Sequence, residues 1–487
     1  MKIIIVTEGS SKIGFGHITR CMSLYQAFRE KELPVQFVVN GDSTIEHLLE
    51  NTEHSIFNWL EESRRFFKLL DTSDILIIDS YLADKSFYEK ISESVALAVY
   101  IDDNKRIDYP RGTVINGSIL AEKMDYPQVN EVKYLLGSQY IPLRREFWNV
   151  PEKETKKSLK NIMVTFGGDD LRNLTPDILK ILVNGYPHIN KKIVIGRGFE
   201  KISEIENLKD DTTELIYYPG ARGMLQTMLD SDLAISAGGQ TLYELARTGV
   251  PTIAIGVAHN QINNVKNWQE VGFVEFAGFW DNENLQEHIK GKLKLLEGPD
   301  LRINKSKIGK MSVNGKGAVK IVKHCLNEYY AKNIQLREAE LKDIYNVYNL
   351  SNEEEVRQNS FNSDKIKFEN HEKWFKDKIK DPNNIFLIVE SWNNFAGQVR
   401  FELEGNEATI SISIDKKFRE LGLGRNIIEN SIEYLKLNVS QIKIVKAYIK
   451  EDNKKSLRLF EKMNFKNKEN FLMKNQNALQ YIYKIKG

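Results

Sequence analysis

The residues best suited to chemistry stand in the stretch Gly14-Phe15-Gly16-His17-Ile18-Thr19-Arg20. A glycine-rich turn lets a ligand approach the backbone closely and directs free amide groups toward it. His17 lies where a helix is predicted to begin, and a neutral imidazole can act as a general base. Because the positive end of a helix disfavours the imidazolium, we expect His17 to stay neutral. His17 is therefore a predicted catalytic residue, and Gly14, Gly16 and Arg20 are predicted to bind the substrate.

The elements around this turn are predicted from hydrophobic patterning. The apolar, β-branched run 2–7 before it is typical of a buried parallel strand. After it, apolar residues recur at helical spacing: Ile18, Cys21, Met22, Tyr25 and Phe28. The turn therefore connects a strand to an amphipathic helix.

Polar residues also follow three later predicted strands, at 75–79, 97–101 and 113–116, while a further strand is predicted at 35–39. The endings are Asp79-Ser80-Tyr81, Asp102-Asp103 and Asn116-Gly117. One such ending is ordinary turn chemistry, but parallel strands place all of them at one edge with His17. We therefore predict a polar sugar pocket, with Asp79 and Asn116 binding substrate and Tyr81 in a catalytic or orienting role.

The pattern Gly-x-Gly-His-x-x-Arg resembles the first loop of nucleotide-sugar enzymes with two facing Rossmann-like domains, the GT-B architecture. It is similar in particular to the UDP-sugar hydrolases of pseudaminic acid biosynthesis. The resemblance implies that His17 activates the water that attacks the anomeric carbon. A dinucleotide site fits less well, because its fingerprint requires glycine where this chain has Thr19.

A second α/β domain is predicted after a charged linker at 151–160. Its strands are expected at 161–166, 193–195, 215–218, 233–235 and 252–255. Gly168 lies in the turn after the first of them and is predicted to bind substrate. After the fourth comes Ser-Ala-Gly-Gly-Gln-Thr-Leu-Tyr-Glu, where Gly238 and Gly239 free amides for a phosphate. Glu244, in the first helical turn, can accept hydrogen bonds from both ribose hydroxyls, although glutamate is also common there for helix stability alone.

Two more motifs follow, Gly249-Val250-Pro251 and Asn260-Gln261-Ile262-Asn263-Asn264. In this order the three motifs resemble the UDP site of GT-B enzymes such as the MurG-like glycosyltransferases. The resemblance implies that this domain binds UDP through the following residues: Gly238, Gly239, Gln240, Thr241, Glu244, Asn260 and Gln261.

The last third of the chain contains Arg419-Glu420-Leu421-Gly422-Leu423-Gly424-Arg425 after a predicted strand at 408–414. Successive amides in such a turn can bind a pyrophosphate. The pattern Arg-x-x-Gly-x-Gly, followed by an Asn-x-x-Ser helix start at 453–456, resembles the GNAT N-acetyltransferases. The resemblance implies acetyl-CoA as cosubstrate, bound by these residues: Ile412, Ile414, Arg419, Gly422, Leu423, Gly424, Arg425, Asn453 and Ser456.

The chain departs from the GNAT pattern at two positions. Glu420 replaces the usual glycine, and Phe460 stands where many members use tyrosine as the general acid. A phenyl ring cannot protonate the departing thiolate, so water or another group must do so. Glu390, Glu402 and Glu451 are candidate general bases, and the residues alone do not choose among them.

Length and composition bound the remaining possibilities. A chain of 487 residues allows roughly three domains. A net charge of +2 gives no case for nucleic acid. Two cysteines, no signal peptide and no apolar run of membrane length predict a cytoplasmic protein without a membrane span. No dedicated metal site is predicted.

The fold class we expect is α/β: a GT-B pair of doubly wound Rossmann-like domains, 1–150 and 151–332, followed by a GNAT α+β domain, 333–487. The resemblances imply a bifunctional enzyme with small-molecule substrates. It would N-acetylate UDP-4-amino-4,6-dideoxy-N-acetyl-β-L-altrosamine from acetyl-CoA and then hydrolyse UDP-2,4-diacetamido-2,4,6-trideoxy-β-L-altropyranose. Two alternatives stay open: a GT-B glycosyltransferase that uses another acceptor than water, and a non-catalytic sensor of nucleotide sugars or acyl-CoA.

Overall fold

The computed structural model describes residues 1–10, 13–473 and 476–485. The chain divides into two compact units, Met1–Cys325 and Leu326–Gly487. In the parts of the chain that the structure describes, no helix combines the length and apolarity needed to cross a bilayer. Within the same ranges, no three His, Cys, Asp or Glu side chains converge in a way that could hold a metal ion.

The first unit begins with a parallel sheet in the order β3-β2-β1-β4-β5-β6-β7. Its strands are β1 Ile3–Gly9, β2 Val35–Gly41, β3 Glu53–Ile56, β4 Ile75–Asp79, β5 Leu97–Ile101, β6 Gly112–Asn116 and β7 Val132–Leu136. Its helices are α1 Gly16–Arg29, α2 Glu46–Leu49, α3 Ser63–Phe67 and α4 Lys85–Ser94, with 3₁₀ turns at Ser43–Ile45, Ala121–Lys123, Ser138–Tyr140 and Arg145–Phe147. All residues of β1, β4 and β5 are buried, because helices and loops cover both faces of the sheet.

A second parallel sheet in this unit has the order β10-β9-β8-β11-β12-β13. Its strands are β8 Asn161–Thr165, β9 Asn190–Ile195, β10 Thr213–Tyr217, β11 Leu233–Ala237, β12 Thr252–Gly256 and β13 Val274–Phe279. Its helices are α5 Thr175–Gly185, α6 Ile202–Leu208, α7 Ala221–Asp230, α8 Thr241–Thr248, α9 Ile262–Glu270, α10 Leu285–Leu295 and α11 Pro299–Ser312, with a 3₁₀ turn at His259–Gln261. The helix α12 Gly317–Ala331 begins in this unit and ends in the next. Ile141, Leu143 and Phe147, which follow the first sheet in sequence, pack into the core of this second sheet.

The second unit contains a mixed sheet in the order β14-β15-β16-β17-β18-β20-β19. Its strands are β14 Ile334–Glu338, β15 Asn384–Ser391, β16 Asn394–Glu404, β17 Glu407–Ile414, β18 Ile444–Lys450, β19 Lys466–Met473 and β20 Gln476–Lys484. Its helices are α13 Ile344–Ser351, α14 Glu354–Asn359, α15 Phe368–Lys378, α16 Gly424–Asn438 and α17 Lys454–Lys462, with 3₁₀ turns at Leu341–Asp343 and Lys416–Phe418.

Strands β17 and β18 form the parallel pair of this mixed sheet, and the other neighbouring strands are antiparallel. Their pairing joins Glu407, Ala408 and Thr409 to Ile444, Val445 and Lys446. Among the described residues the two strands are not paired beyond that point. Strand β17 continues as far as Ile414 while β18 separates from it. The sheet is therefore splayed in its middle.

The predicted α/β class, two parallel sheets followed by a mixed one, is confirmed. The strands predicted at 75–79 and 97–101 have the observed bounds, whereas β3, β7 and β13 were not predicted. The sequence of β3, Glu-His-Ser-Ile, is polar because it is an edge strand, and β13 is interrupted by a register shift near Gly278. The segment 151–160 contains no helix or strand. The domain boundaries at 150 and 332 stay predictions.

Candidate functional site

His17 and Asp79 form a close pair at the carboxyl edge of the first sheet. His17 is the second residue of α1, and its Nδ1 lies 2.7 Å from Oδ1 of Asp79. Asp79 ends β4 directly beside Thr7 of β1, so the start of α1 lies over it. The Asp79 side chain is 1% exposed, and the His17 side chain is 13% exposed. The contact fixes the imidazole ring through Nδ1 and leaves Nε2 as the nitrogen that can exchange a proton with a ligand.

Arg20 holds the same carboxylate from its other side. Its Nε donates to Oδ2 of Asp79 and its Nη2 to Oδ1, each at 2.7 Å. Its Nη1 donates to Asp103 at 2.6 Å. Arg20 follows His17 by three residues in α1, which places both side chains on one face of the helix. Arg20, which was predicted to bind substrate, thus forms a bidentate ion pair with Asp79, the partner of His17.

The helix terminus was expected to disfavour the imidazolium of His17, but Asp79 acts in the opposite direction. Burial lowers the pKa of His17, but the negative charge of Asp79 and the hydrogen bond to it outweigh burial, so the pKa is raised above its ordinary value. Burial would also raise the pKa of Asp79, yet Arg20 and His17 hold it well below its usual range. Asp79 is therefore ionised and favours the imidazolium form of His17. This effect opposes that of the helix terminus, which disfavours the imidazolium.

Tyr81 closes the cluster, and Glu8 supports it. The Tyr81 hydroxyl donates to Asp103 at 2.9 Å, and its ring meets the His17 ring edge-on, with centroids 4.9 Å apart. Glu8, buried near the end of β1, accepts from the backbone N–H of Tyr81 at 2.8 Å and from the Ser80 hydroxyl. Burial raises the pKa of Glu8. Sequence reasoning missed Glu8; the signal was a charged residue within an otherwise apolar central strand.

The two loops of the first unit that were predicted to bind substrate face each other. Gly14 has φ +90, a conformation that favours glycine, and a side chain at Gly16 would meet only open space. A Cβ atom at Gly168 would lie 3.0 Å from the ring of Phe15. The turn after β8 therefore approaches the turn before α1.

Asn116, another predicted substrate contact, is fully buried and turned inward. Its Nδ2 donates to the Tyr126 hydroxyl at 3.0 Å, and that hydroxyl donates to Asp102 at 2.7 Å. Its Oδ1 accepts from the backbone of Ser118. In this arrangement Asn116 braces the loop after β6, and its contact with substrate stays a prediction.

The predicted phosphate loop begins α8 and is packed tightly against α9. A Cβ atom at Gly238 would lie 2.2 Å from Val265, so glycine is required there by close packing. The carbonyl of Gly238 accepts from Asn264 Nδ2 at 2.8 Å, and the Tyr243 hydroxyl donates to Asn264 Oδ1. Tyr243 also accepts from the backbone N–H of Ile119, which connects this loop to the segment after the first sheet.

Glu244 is buried and forms a bidentate ion pair. Arg144 donates to its two oxygens at 2.8 and 2.7 Å. Burial lowers the pKa of Arg144, but Glu244 outweighs that effect and the pKa is raised. Ionised carboxylates accept about four hydrogen bonds, so capacity for ribose hydroxyls remains. Sequence reasoning did not identify Arg144 as the partner of Glu244, because they are far apart in the chain.

The other predicted UDP contacts surround this loop. Gln240 donates to the carbonyl of Pro142 at 3.0 Å, and Thr241 is the first residue of α8. Asn260 is exposed in the 3₁₀ turn, and Gln261 accepts from the backbone N–H of Val257 at 3.2 Å. Gly239 lies beside Gln261. The structure thus places these residues around one helix start, and their contact with UDP stays a prediction.

In the second unit, the predicted pyrophosphate turn connects β17 to α16. Gly422 has φ +91, and Gly424 begins α16 directly after Leu423. Ile412 and Ile414 lie in the part of β17 beyond its pairing with β18. Asn453 caps α17 by accepting from the Ser456 backbone N–H at 3.1 Å, so this motif is at least a helix cap.

The cations of that turn are paired with glutamates. Arg419 donates to Ile414 O at 2.7 Å, to Glu355 at 3.2 Å and to Glu353. Lys455 donates to Glu355 at 3.1 Å and to Glu420 at 2.8 Å. Arg425 is exposed and pairs with the glutamate at position 429 of its own helix. A phosphate group arriving here would have to replace these ion pairs.

The residues considered for acid–base work in the second unit are engaged elsewhere. Phe460 is buried against Phe465, with ring centroids 4.9 Å apart. Glu390 accepts from Arg337 at 2.7 Å, and Glu402 accepts from Lys378 at 3.2 Å. Glu451 is exposed. The geometry therefore singles out none of the three glutamates as a base.

Comparison with known proteins supplies two family matches. Residues 161–324 match the glycosyltransferase family 28 C-terminal domain, and residues 333–466 match the acetyltransferase (GNAT) domain. An uncharacterized protein of Methanocaldococcus jannaschii is 26% identical over 96% of this chain and 97% of its own length.

Two further relatives each match part of this chain. The pseudaminic acid cytidylyltransferase and UDP-2,4-diacetamido-2,4,6-trideoxy-β-L-altropyranose hydrolase of Helicobacter pylori is 24% identical over 59% of this chain and 51% of its own length. The spore coat polysaccharide biosynthesis protein SpsG of Bacillus subtilis is 25% identical over 69% of this chain and 100% of its own length. The resemblance to a fusion of a hydrolase-like chain with a GNAT domain is confirmed.

Proposed function

We propose that the first unit hydrolyses a UDP-linked sugar at C1 and that the second unit acetylates an amine of that sugar from acetyl-CoA. The specific substrates we propose are UDP-4-amino-4,6-dideoxy-N-acetyl-β-L-altrosamine for acetylation and UDP-2,4-diacetamido-2,4,6-trideoxy-β-L-altropyranose for hydrolysis. The hydrolase activity for which the Helicobacter pylori relative is named and the two family matches support this proposal. The observation that carries it is the clamped His17–Asp79 pair beside two glycine-rich turns.

In hydrolysis, the chain's part is to orient a base and to hold the leaving group. Asp79 accepts from His17 Nδ1–H and so presents Nε2 to the attacking water, whose proton Nε2 takes as the oxygen bonds to C1. The C1–O bond to UDP breaks at the same time. The amide groups at the start of α8, after Gly238 and Gly239, stabilise the negative charge of the departing diphosphate.

In acetyl transfer, the splayed pair β17 and β18 supplies the reaction site. Beyond Thr409 the backbone of β17 is not paired with β18, so its N–H groups can polarise a thioester carbonyl. A neutral sugar amine then attacks that carbonyl, the nitrogen gives up one proton to water, the C–S bond breaks, and the departing thiolate takes a proton from water. The turn 419–425 and the start of α16 would bind the pyrophosphate of acetyl-CoA.

The decisive experiment is turnover of the diacetamido UDP-sugar in H₂¹⁸O, followed by mass spectrometry of both products. Attack at C1 places ¹⁸O on the free sugar and leaves UDP unlabelled. Label in UDP would overturn the mechanism, since it indicates attack at phosphorus. UDP release that requires an added acceptor would identify a glycosyltransferase instead. A parallel reaction with the 4-amino substrate, with and without acetyl-CoA, tests the acetylation and the order of the two steps.

A further inference from the structure

One face of the mixed sheet carries a row of polar side chains beneath the aromatic residues of α15. Gln398 and Arg400 stand two residues apart on β16, and the register pairs them with Ser413 and Ser411 of β17. All four point to the same face because side chains alternate along a strand. We refer to these four residues as the Arg400 row.

Arg400 is held as a charged group with spare hydrogen-bonding capacity. Its guanidinium lies 4.8 Å from the centroid of the Trp374 ring and 5.7 Å from that of Phe386. Its Nη2 lies 3.4 Å from the Ser411 hydroxyl, and its buried Nε has no hydrogen-bond partner among the described residues. Burial lowers the pKa of Arg400. Glu402, next on this face, accepts from Lys378.

Gln398 also has a buried polar atom without a hydrogen-bond partner among the described residues. It is 5% exposed, and its Oε1 accepts no hydrogen bond within the ranges that the structure describes. Native proteins rarely leave buried polar atoms unpaired, since each costs free energy unless a partner arrives. Two such atoms lie in one row, on neighbouring positions of one strand. The row therefore offers one unpartnered donor, Arg400 Nε, and one unpartnered acceptor, Gln398 Oε1, which favours a ligand site over a packed core.

The row also lies next to the place where the sheet opens. Pairing between β17 and β18 ends at Thr409, and Ser411 stands two residues, or about 7 Å, further along β17. A group bound at Arg400 is thus about one sugar ring away from the start of the opening. This is the separation expected between an amine and a charged group on opposite sides of a hexose.

We propose that the Arg400 row binds the diphosphate of a nucleotide-linked acceptor while its amine enters the opening between β17 and β18. The proposal rests on the acetyl transfer proposed above. A planar guanidinium can donate two parallel N–H groups to phosphate oxygens. Because the guanidinium of Arg400 stacks on Trp374, the edge that carries these N–H groups is directed away from the ring. Gln398, Ser411 and Ser413 add neutral hydrogen bonds beside it.

The kinetic test compares two acceptors with the full-length protein: the UDP-linked 4-amino sugar and the same amino sugar without its nucleotide. Arg400→Gln should raise KM for the UDP-linked acceptor by about 10- to 100-fold, because a charged hydrogen-bonded pair is lost. KM for acetyl-CoA and for the nucleotide-free sugar should not change. Arg400→Lys should recover part of the loss. Lys376→Gln, an exposed position on α15, is the matched control. Equal losses for both acceptors would overturn the proposal.

A binding measurement separates this inference from the acetyl transfer itself. Trp374 reports on Arg400, so titration with the UDP-linked amino sugar should change a fluorescence signal that is absent in Trp374→Phe. The midpoint should shift to higher concentration in Arg400→Gln. If binding depends on Arg400 but no acceptor is acetylated, the site stands and the acetyl transfer fails. If acetylation proceeds and neither KM nor the midpoint depends on Arg400, the site fails and the acetyl transfer stands.

Discussion

Two glycine-rich turns of this chain connect a strand to a helix, yet their charged groups are arranged in opposite ways. Before α1, Arg20 and Asp79 are 9% and 1% exposed in their side chains and bond each other bidentately. Before α16, the ion pairs are less deeply buried: the side chains of Lys455 and Glu420 are 70% and 66% exposed, and those of Arg419 and Glu353 are 19% and 20% exposed. The first network is fixed by burial, and the second is open to exchange.

The difference follows from the energetics of ion pairs. A buried pair resists change because loss of one partner leaves an uncompensated charge, whereas exposed pairs contribute little and are screened by salt. The buried network therefore suits the orientation of one reactive group, His17. The exposed network suits a phosphate site, because an arriving phosphate must replace a glutamate as the counter-ion of a cation. We expect substitutions at the first turn to have large effects and those at the second to have small ones.

The largest effect is expected from His17→Ala. Removal of the general base should lower kcat for UDP-sugar hydrolysis by about 10²- to 10⁴-fold, since the attacking water then lacks the imidazole that Asp79 orients. Acetylation of the 4-amino substrate should continue at the wild-type rate. Proton NMR of one reaction mixture checks both, because the variant should accumulate the acetylated UDP-sugar.

His54→Ala, at an exposed histidine of β3, serves as the control and should hydrolyse normally. A near-normal hydrolysis rate in His17→Ala would remove His17 from the mechanism. A joint loss of hydrolysis and acetylation would indicate misfolding, and circular dichroism of the variant would detect it.

The next effect concerns the charge of Asp79. Asp79→Asn keeps the shape but removes the charge that raises the pKa of His17, so that pKa should fall below its ordinary value through burial. The acidic limb of the hydrolysis profile should shift to lower pH, while kcat at the optimum falls by about 10- to 100-fold. Profiles of kcat against pH for both proteins measure this. An unchanged acidic limb would show that His17 does not titrate in the reaction.

The same pair makes stability depend on pH with a definite sign. Because the folded pKa of His17 is raised, its contribution is fully present below the unfolded value, about 6.5, and is lost as pH rises through the folded pKa. Wild type should thus lose a little unfolding free energy above that range, and Asp79→Asn should not. Urea unfolding at pH 6 and pH 9 measures the difference.

Hydrophobic patterning was enough to predict the central strands. The runs at 75–79 and 97–101 are apolar throughout because both faces of the sheet are covered, and a buried strand leaves little ambiguity. Polar and short strands such as Glu53–Ile56 were missed, since they lie at an edge where burial imposes no pattern. The strand predicted at 113–116 begins one residue earlier, at Gly112, because patterning locates the ends of elements poorly.

Site residues were predicted where a motif is local and missed where the partner is distant. His17 and Arg20 lie in one turn, and their spacing was visible in the sequence. That Arg20 clamps Asp79 depends on strand order, which brings β4 beside β1. The pKa of His17 was predicted in the wrong direction for the same reason: a buried carboxylate from another strand outweighs the helix terminus. Arg144, the partner of Glu244, was hidden by separation along the chain.

A smaller effect is expected from Tyr81→Phe, which distinguishes an orienting role from a catalytic one. The substitution removes the hydrogen bond to Asp103 but keeps the ring against His17. Loss of one hydrogen bond to a charged group outside the reacting atoms should lower kcat by less than about 10-fold. Initial rates of UDP release give the value. A loss above 100-fold would place the Tyr81 hydroxyl in proton transfer instead.

The smallest effect is expected in the exposed network, where the substitution should improve binding of acetyl-CoA instead of lowering activity. Glu355→Gln removes one of the two carboxylates that pair with Arg419 and one of the two that pair with Lys455, so both cations are less neutralised when the phosphates of acetyl-CoA arrive. KM for acetyl-CoA should fall by about 2- to 5-fold, and the gain should shrink as salt screens the charges. Acetylation rates at two ionic strengths measure it, with Glu372→Gln on α15 as the exposed control. A rise in KM would mean that the glutamates hold the turn in its binding conformation, and the contrast with the buried network would then fail.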